Sequence, residues 1–179
     1  LYVKSCEPDM IVIHGDRVEA LAGAIVGSLN NILVSHIEGG EVSGTIDELI
    51  RHSTSKMSHI HFVSNKQAKK RLIQMGELDE SIFIIGSPDV DIMFSDSLLD
   101  LEKAKEYYEI TFDKYAVVMF HPVTTEAKYI EKYATDFVEV LLADTHNYVV
   151  VFPNNDLGSN AIIKAYEKLK NNSRFRIFP

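Results

Sequence analysis

The stretch Met10-Ile11-Val12-Ile13-His14-Gly15-Asp16-Arg17-Val18-Glu19-Ala20-Leu21-Ala22 opens on an unbroken apolar run, turns through polar residues and continues at helical spacing. A short apolar run without alternation is expected of a strand buried on both faces, as in a parallel sheet. Val18, Leu21, Ala22, Ile25 and Leu29 then form an apolar stripe of helical period. A second apolar run follows at Ile32–Val34. Further runs recur at Ile60–Val63, Ile82–Ile85, Tyr115–Phe120, Tyr148–Phe152 and Phe175–Phe178. Helical stripes lie between them: Ile46, Leu49, Ile50, Ser53 and Met57; Ile130, Ala134, Phe137 and Leu141; Ile162, Ala165, Tyr166 and Leu169. The fold class read from this alternation is α/β, with doubly wound parallel sheets covered on both faces. Between Gly86 and Tyr115 the pattern gives way to Ser, Pro and Asp and then to a charged helical stretch, Leu98–Tyr108, which places a domain boundary near residues 90–100.

With 46% hydrophobic and 25% charged residues, the 179-residue chain has the composition of a globular protein able to bury one good core or two small ones. Its formal charge of −8, with no cluster of Lys, Arg and aromatics, argues against a nucleic-acid partner. A lone cysteine, Cys6, excludes an intrachain disulfide framework and fits a reducing compartment, so a cytoplasmic location is expected. No apolar run approaches the about 20 residues of a membrane-spanning helix, and no membrane partner is expected. The chain starts at Leu1 and stops after the strand-like Arg174–Phe178, so it is expected to be part of a longer protein.

In doubly wound sheets, ligands bind beyond the carboxyl ends of the strands. That rule selects His14-Gly15-Asp16-Arg17, His36-Ile37-Glu38-Gly39-Gly40, Gly86-Ser87-Pro88, His121-Pro122-Val123-Thr124-Thr125 and Pro153-Asn154-Asn155-Asp156. Asp16 has two readings: a helix N-cap, or a carboxylate that works on a ligand. Arg17 sits in the first helical turn, where the macrodipole disfavours a cation and an anion such as a diphosphate would explain it. Glu38 is flanked by Gly39 and Gly40, which permit positive φ and close backbone approach. Thr45-Ile46-Asp47-Glu48 has the capping-box form, with Thr45 as N-cap and Glu48 closing it. Asp47 suits the helix dipole and stands four residues before Arg51, with which it is expected to pair. His59 and His61 are expected to serve packing or the surface, whereas His121, fixed by Pro122, suits acid/base work or a phosphate contact.

No P-loop, no G-x-G-x-x-G and no G-x-S-x-G elbow occurs, so nucleotide hydrolysis through a P-loop and nicotinamide chemistry have no motif behind them. Neither H-x-x-x-H nor paired C-x-x-C spacing is present, and neither metal nor cofactor is expected. The residues alone describe an α/β protein with carboxylates and histidines at strand ends, suited to an anionic ligand and to proton transfer.

The run His36-Ile37-Glu38-Gly39-Gly40-Glu41-Val42-Ser43-Gly44-Thr45-Ile46-Asp47, with Ile50-Arg51-His52, Lys56, Ser58 and His59, closely resembles the signature of the hydrolysing UDP-N-acetylglucosamine 2-epimerases. The likeness continues at His14-Gly15-Asp16-Arg17, Gly86, Pro88, Asp91, His121–Thr125, Phe152–Asp156 and Gly158-Ser159, along nearly the whole chain. Non-hydrolysing relatives have an Ala-Gly-Leu-Arg character after the glutamate, where this chain has Gly-Glu-Val-Ser-Gly-Thr-Ile-Asp.

The resemblance implies two Rossmann-like domains of the glycosyltransferase-B kind. Residues 1–92 would form the second half of the N-terminal domain, and residues 93–179 the linker and first half of the C-terminal domain. It implies a UDP-sugar substrate, no cofactor, a homo-oligomer and a role in sialic acid biosynthesis. UDP would be expelled with loss of the C2 proton, and water would add to the resulting 2-acetamidoglucal. Asp16, Glu38 and Asp47 are the matched catalytic carboxylates and His121 a further acid/base candidate. Arg17 would neutralise phosphate, Arg51 would join the substrate-binding set and Asn154 would hold a sugar hydroxyl. The alternatives are a non-hydrolysing UDP-N-acetylglucosamine 2-epimerase, an epimerase for a UDP-bacillosamine-type sugar and a glycosyltransferase on the same fold.

Overall fold

The computed structural model describes residues 2–179. They divide into two compact units, one running to Leu98 and the other spanning Leu99–Pro179.

The first unit is a four-stranded parallel sheet in the order β1 (Met10–His14), β2 (Leu33–Ile37), β3 (Ile60–Val63), β4 (Ile82–Ile84). A short helix α1 (Tyr2–Cys6) precedes it, and α2 (Val18–Leu29), α3 (Ile46–Lys56) and α4 (Lys66–Gln74) make the crossovers. A further helix, α5 (Pro88–Met93), follows the sheet with proline at its start, where the missing N–H costs nothing. Register aligns Ile13, His36, His61 and Ile82 across one face, and all four are buried. The crossover helices cover that face. The opposite face carries Val12, Leu33 and Phe83, which stay exposed, so within this chain the sheet is covered on one side rather than on both.

Helix α4 illustrates how local chemistry sets a helix. Asn65 caps it by accepting from the N–H groups of Gln67 and Ala68, both at 2.9 Å. It ends in a Schellman motif: Gly76 at φ +92 donates to Ile73 O and Glu77 donates to Leu72 O. Its inner face places Ala68 and Leu72 on Val63 and Ile82. Burying a leucine of this kind stabilises the fold by about 2 kcal/mol.

Two helices present a different face from the one their apolar spacing predicts. Helix α2 buries Ala20, Ala24 and Gly27, while Val18 and Leu29 of the expected stripe are exposed. Small residues win because the helix lies close on the sheet, with Gly27 directly over Val34 and Ile11. Helix α3 buries Arg51, Thr54 and Ser55, while Leu49 is 66% exposed. Its inner face meets polar groups of the sheet, as detailed below.

The second unit is a three-stranded parallel sheet, β5 (Ala116–Met119), β6 (Tyr148–Val151), β7 (Phe175–Phe178), with α6 (Leu101–Tyr107), α7 (Ile130–Ala143) and α8 (Ser159–Tyr166). Here the apolar spacing predicts the core well. Ile130, Ala134, Ile162, Ala165, Tyr166 and Leu169 are all buried, and they pack with Val118, Val138, Leu141, Tyr148, Val150 and Phe175. Phe137 of the expected stripe lies half-buried against this cluster, and Val138 takes the inner position.

Candidate functional site

In the first unit the strand ends bring together a hydrogen-bonded set of charged and polar side chains. Chain direction does most of the positioning: parallel strands β1, β2 and β4 all deliver their carboxyl ends to the same edge.

Asp16, two residues beyond β1, receives a hydrogen bond from Arg51 Nη2. Arg51 is 8% exposed, and its guanidinium also reaches Glu41 O at 3.0 Å through Nη1. This arrangement corrects two expectations. Asp16 is not the cap of α2, whose N-cap position belongs to Arg17 and makes no side-chain capping bond. Arg51 pairs with Asp16 and not with Asp47, because α3 turns its Arg51 face inward and its Asp47 carboxylate takes a hydrogen bond from Thr45 Oγ1 at 3.1 Å.

Thr45 does occupy the N-cap position of α3, yet the capping box does not close. Glu48 reaches past Thr45 and accepts from the N–H groups of Ser43 at 3.0 Å and Gly44 at 2.8 Å. Those two bonds hold its carboxyl below the usual range. The acid therefore closes the loop that precedes the helix.

Glu38 stands immediately after β2, and it is Glu38 itself that adopts positive φ, at 66°. Such a backbone is unfavourable for a residue with a Cβ by about 1 kcal/mol and clusters at working sites. Two bonds fix its carboxylate. His14 Nε2 lies 2.9 Å from Oε2, and Ser87 Oγ donates to Oε1 at 2.9 Å. Burial pushes the Glu38 carboxyl up, but the Ser87 and His14 bonds and the positive charge of His14 and Arg51 outweigh it, so the group is held below the usual range.

The two glycines after Glu38 have separate roles. Gly40 has φ +80, while Gly39 provides room: a Cβ there would lie 2.8 Å from Ser55 Oγ and 3.0 Å from His36 Nδ1.

Beneath the carboxylates lies His36, fully buried. Gly15 O can only accept, so His36 Nε2 carries the proton and donates to it at 2.9 Å. Nδ1 is then the acceptor and Ser55 Oγ donates to it at 3.0 Å. Burial is the main cause that lowers the imidazole to about 4; the Gly15 bond opposes this, and the charges of His61 and Arg51 add to it. His36 is thus a neutral strut under the Gly15–Asp16 turn. His61 is also buried, its Nε2 3.2 Å from Glu77 Oε2, and His59 Nδ1 accepts from Val34 N at 3.1 Å, so both serve packing.

In the second unit, His121 and Asn154 follow β5 and β6. The Asn154 N–H donates to His121 Nδ1 at 3.2 Å, which leaves the ring proton on Nε2. Asn154 Nδ2 donates to Asp156 Oδ2 at 2.6 Å, and Ser159 Oγ to Asp156 O at 2.8 Å. Pro153, Asn154, Asp156, Gly158 and Ser159 line an open cavity of about 470 Å³.

The partners of Glu38, His14 and Ser87, escaped assignment from sequence. Both stood among the strand-end residues, but nothing local ties Ser87 to an acid 49 positions earlier.

Comparison with known proteins supplies a family for this arrangement. A UDP-N-acetylglucosamine 2-epimerase of Neisseria meningitidis serogroup B is 53% identical over 173 residues, 97% of this chain and 46% of that protein. The UDP-N,N'-diacetylbacillosamine 2-epimerase (hydrolyzing) of Legionella pneumophila is 36% identical over 95% of this chain and 45% of its own length. The chain therefore spans about half the length of the curated relatives it matches. Among solved structures, the UDP-GlcNAc 2-epimerase from Neisseria meningitidis bound to UDP-GlcNAc superposes with a TM-score of 0.76 at 19% identity, over 99% of this chain and 50% of that one. The enzyme from Methanocaldococcus jannaschii, in complex with UDP-GlcNAc and UDP, gives 0.73 at 21%, over 99% of this chain and 51% of that one. Both share the α/β fold with parallel sheets, of glycosyltransferase-B-like type. Residues 1–179 match the family described as UDP-N-acetylglucosamine 2-epimerase, and the chain belongs to that family.

Proposed function

We propose that the intact polypeptide is a hydrolysing 2-epimerase that converts UDP-N-acetylglucosamine and water into UDP and N-acetylmannosamine, for sialic acid biosynthesis in the cytoplasm. In this reading residues 1–92 are the second half of an N-terminal Rossmann-like domain. Residues 93–179 are the linker and first half of a C-terminal one, and the enzyme works as a homo-oligomer.

One observation carries the proposal. The His36–Asp47 signature lays a clamped Glu38 at the end of β2, and α3 behind it returns Arg51 to Asp16 at the end of β1. Two carboxylates fixed in place by hydrogen bonds, one of them from a guanidinium, suit removal of a sugar C2 proton and its later return. The C2–H bond breaks as the C1–O bond to UDP breaks, giving a C1=C2 double bond; water then adds hydroxyl at C1 and a proton at C2. Asp16 and Glu38 carry the proton transfers, with Asp47 assisting hydration. His121 serves as acid/base or diphosphate contact, Arg17 neutralises departing phosphate, Arg51 orders the site and Asn154 holds a sugar hydroxyl.

The Legionella relative, named for a bacillosamine sugar, keeps a UDP-N,N'-diacetylbacillosamine substrate as a second reading. Incubating the intact polypeptide with each UDP-sugar in deuterated water tests both. UDP release without an acceptor, with deuterium at C2 of a free manno product, is expected from UDP-N-acetylglucosamine. A manno product still attached to UDP would instead mark a non-hydrolysing enzyme, and absence of both overturns the epimerase assignment.

A further inference from the structure

The Gly86-Ser87-Pro88 turn lies outside the roles given so far, yet its side chain reaches the most constrained acid in the first unit. Ser87 is held from both sides: Gly86 adopts φ +82, and Pro88 begins α5. From that turn Oγ donates to Glu38 Oε1 at 2.9 Å. His14, at the end of β1, meets the other oxygen at 2.9 Å. An ionised carboxylate can only accept, so both partners present protons to it. Three separate elements thus converge on one carboxylate whose backbone already sits at φ 66.

We propose that Ser87 and His14 are positioning residues for Glu38, a two-sided clamp that fixes its carboxylate in one rotamer while a single lone pair on each oxygen stays open to a substrate proton. The proposal rests on Glu38 being a proton-transfer group of the reaction above. Each donor serves one oxygen, so the carboxylate cannot rotate without breaking both bonds. The charged groups that act on Glu38 are His14 from β1 and Arg51 from α3; Ser87 contributes a neutral donor. Removing either donor withdraws a bond that favours the ionised form.

The test compares Ser87→Ala, His14→Phe and His14→Gln with the wild-type intact polypeptide. Glutamine retains an N–H donor near the position of Nε2 but does not titrate. UDP release is followed against pH, and the Glu38 carboxyl is titrated independently by 13C NMR. Ser87→Ala and His14→Phe should each lower kcat by about tenfold to a hundredfold, the scale of a hydrogen bond to a charged group, with KM much less affected. The acid limb of the pH profile and the NMR titration of Glu38 should both move to higher pH, and His14→Gln should recover most of the rate. Thermal melting identifies a variant that does not fold, and the other donor variant then carries the test. An unmoved Glu38 titration in a folded donor variant overturns the clamp, whatever the activity. A Glu38 titration that moves in the donor variants, alongside a wild-type protein that releases no UDP, leaves the clamp standing and removes the epimerase reading instead.

Discussion

Arg51 on α3 donates to Asp16 across 35 positions of sequence, and through its other arm it holds the carbonyl of Glu41. A planar fork can serve both partners at once, whereas a lysine ammonium on a flexible stem cannot reproduce that geometry. Arg51→Lys should therefore lower kcat/KM by about tenfold or more, since misorienting a reacting group is costly. Arg51→Met should in addition destabilise the fold by about 2 kcal/mol, below the full cost of breaking a buried pair because Asp16 keeps partial access to water. Thermal melting and steady-state kinetics measure the two effects; wild-type kinetics in Arg51→Lys would show that the fork does not orient Asp16.

Glu38→Gln is nearly isosteric and leaves an oxygen for Ser87 to donate to, so it should fold normally. It removes the proton acceptor, and UDP release should fall by about a thousandfold, within the range of general acid–base catalysis. Retention of more than a tenth of the wild-type kcat would remove Glu38 from the proton transfers.

His36 makes folding pH-dependent. Its folded-state pKa, about 4, lies below the ordinary 6.5, so the unfolded chain takes up the proton first. Stability from this group is complete above pH 6.5 and is lost as the pH falls towards 4, by on the order of 3 kcal/mol. The melting temperature should drop across that interval, and His36→Gln should be less stable at neutral pH but flatter in its pH dependence. A wild-type melting temperature that is constant from pH 7 to 4 would contradict the buried neutral assignment. His61, lowered mainly by burial and opposed by the Glu77 carboxylate, contributes in the same direction.

Gly40 and Gly44 both adopt positive φ but differ in surroundings. A Cβ on Gly40 would sit 2.5 Å from the carbonyl oxygen of Ala68, whereas one on Gly44 would meet nothing within 4 Å. Gly44→Ala should cost about 1 kcal/mol, the left-handed backbone penalty alone. Gly40→Ala adds overpacking against fixed backbone and should cost about 3 kcal/mol or more. Urea denaturation of the two variants distinguishes the contributions; equal losses would mean that Gly40 is needed for its φ and not for space.

The sequence by itself determined the elements and the edge at which chemistry gathers. Short apolar-rich runs such as Ile60–Val63 and Phe175–Phe178, each interrupted by one polar residue, are strands in the structure with the same bounds, and the stripe Ile162, Ala165, Tyr166, Leu169 is buried as spaced. Both signals are short-range: β-propensity acts within a few residues, and a helix buries one apolar side where a large core awaits it. Glu38 and Asp16 in the first sheet, and His121 in the second, could be singled out because parallel strands put their carboxyl ends on one edge of their own sheet.

Tertiary structure alone decided what those residues touch. Helix α3 turns its polar side inward, since the sheet beneath it offers His36 for Ser55 and the turn after β1 offers Asp16 for Arg51. Its apolar stripe predicts the opposite face, because periodicity reveals that a helix has two sides and not which one finds partners. The clamp on Glu38 joins residues from β1 and from beyond β4, and positive φ is adopted by the glutamate itself as well as by Gly40 after it. Hydrogen bonds between residues tens of positions apart leave no local pattern, and a buried polar group is stable only once the folded chain delivers its partner.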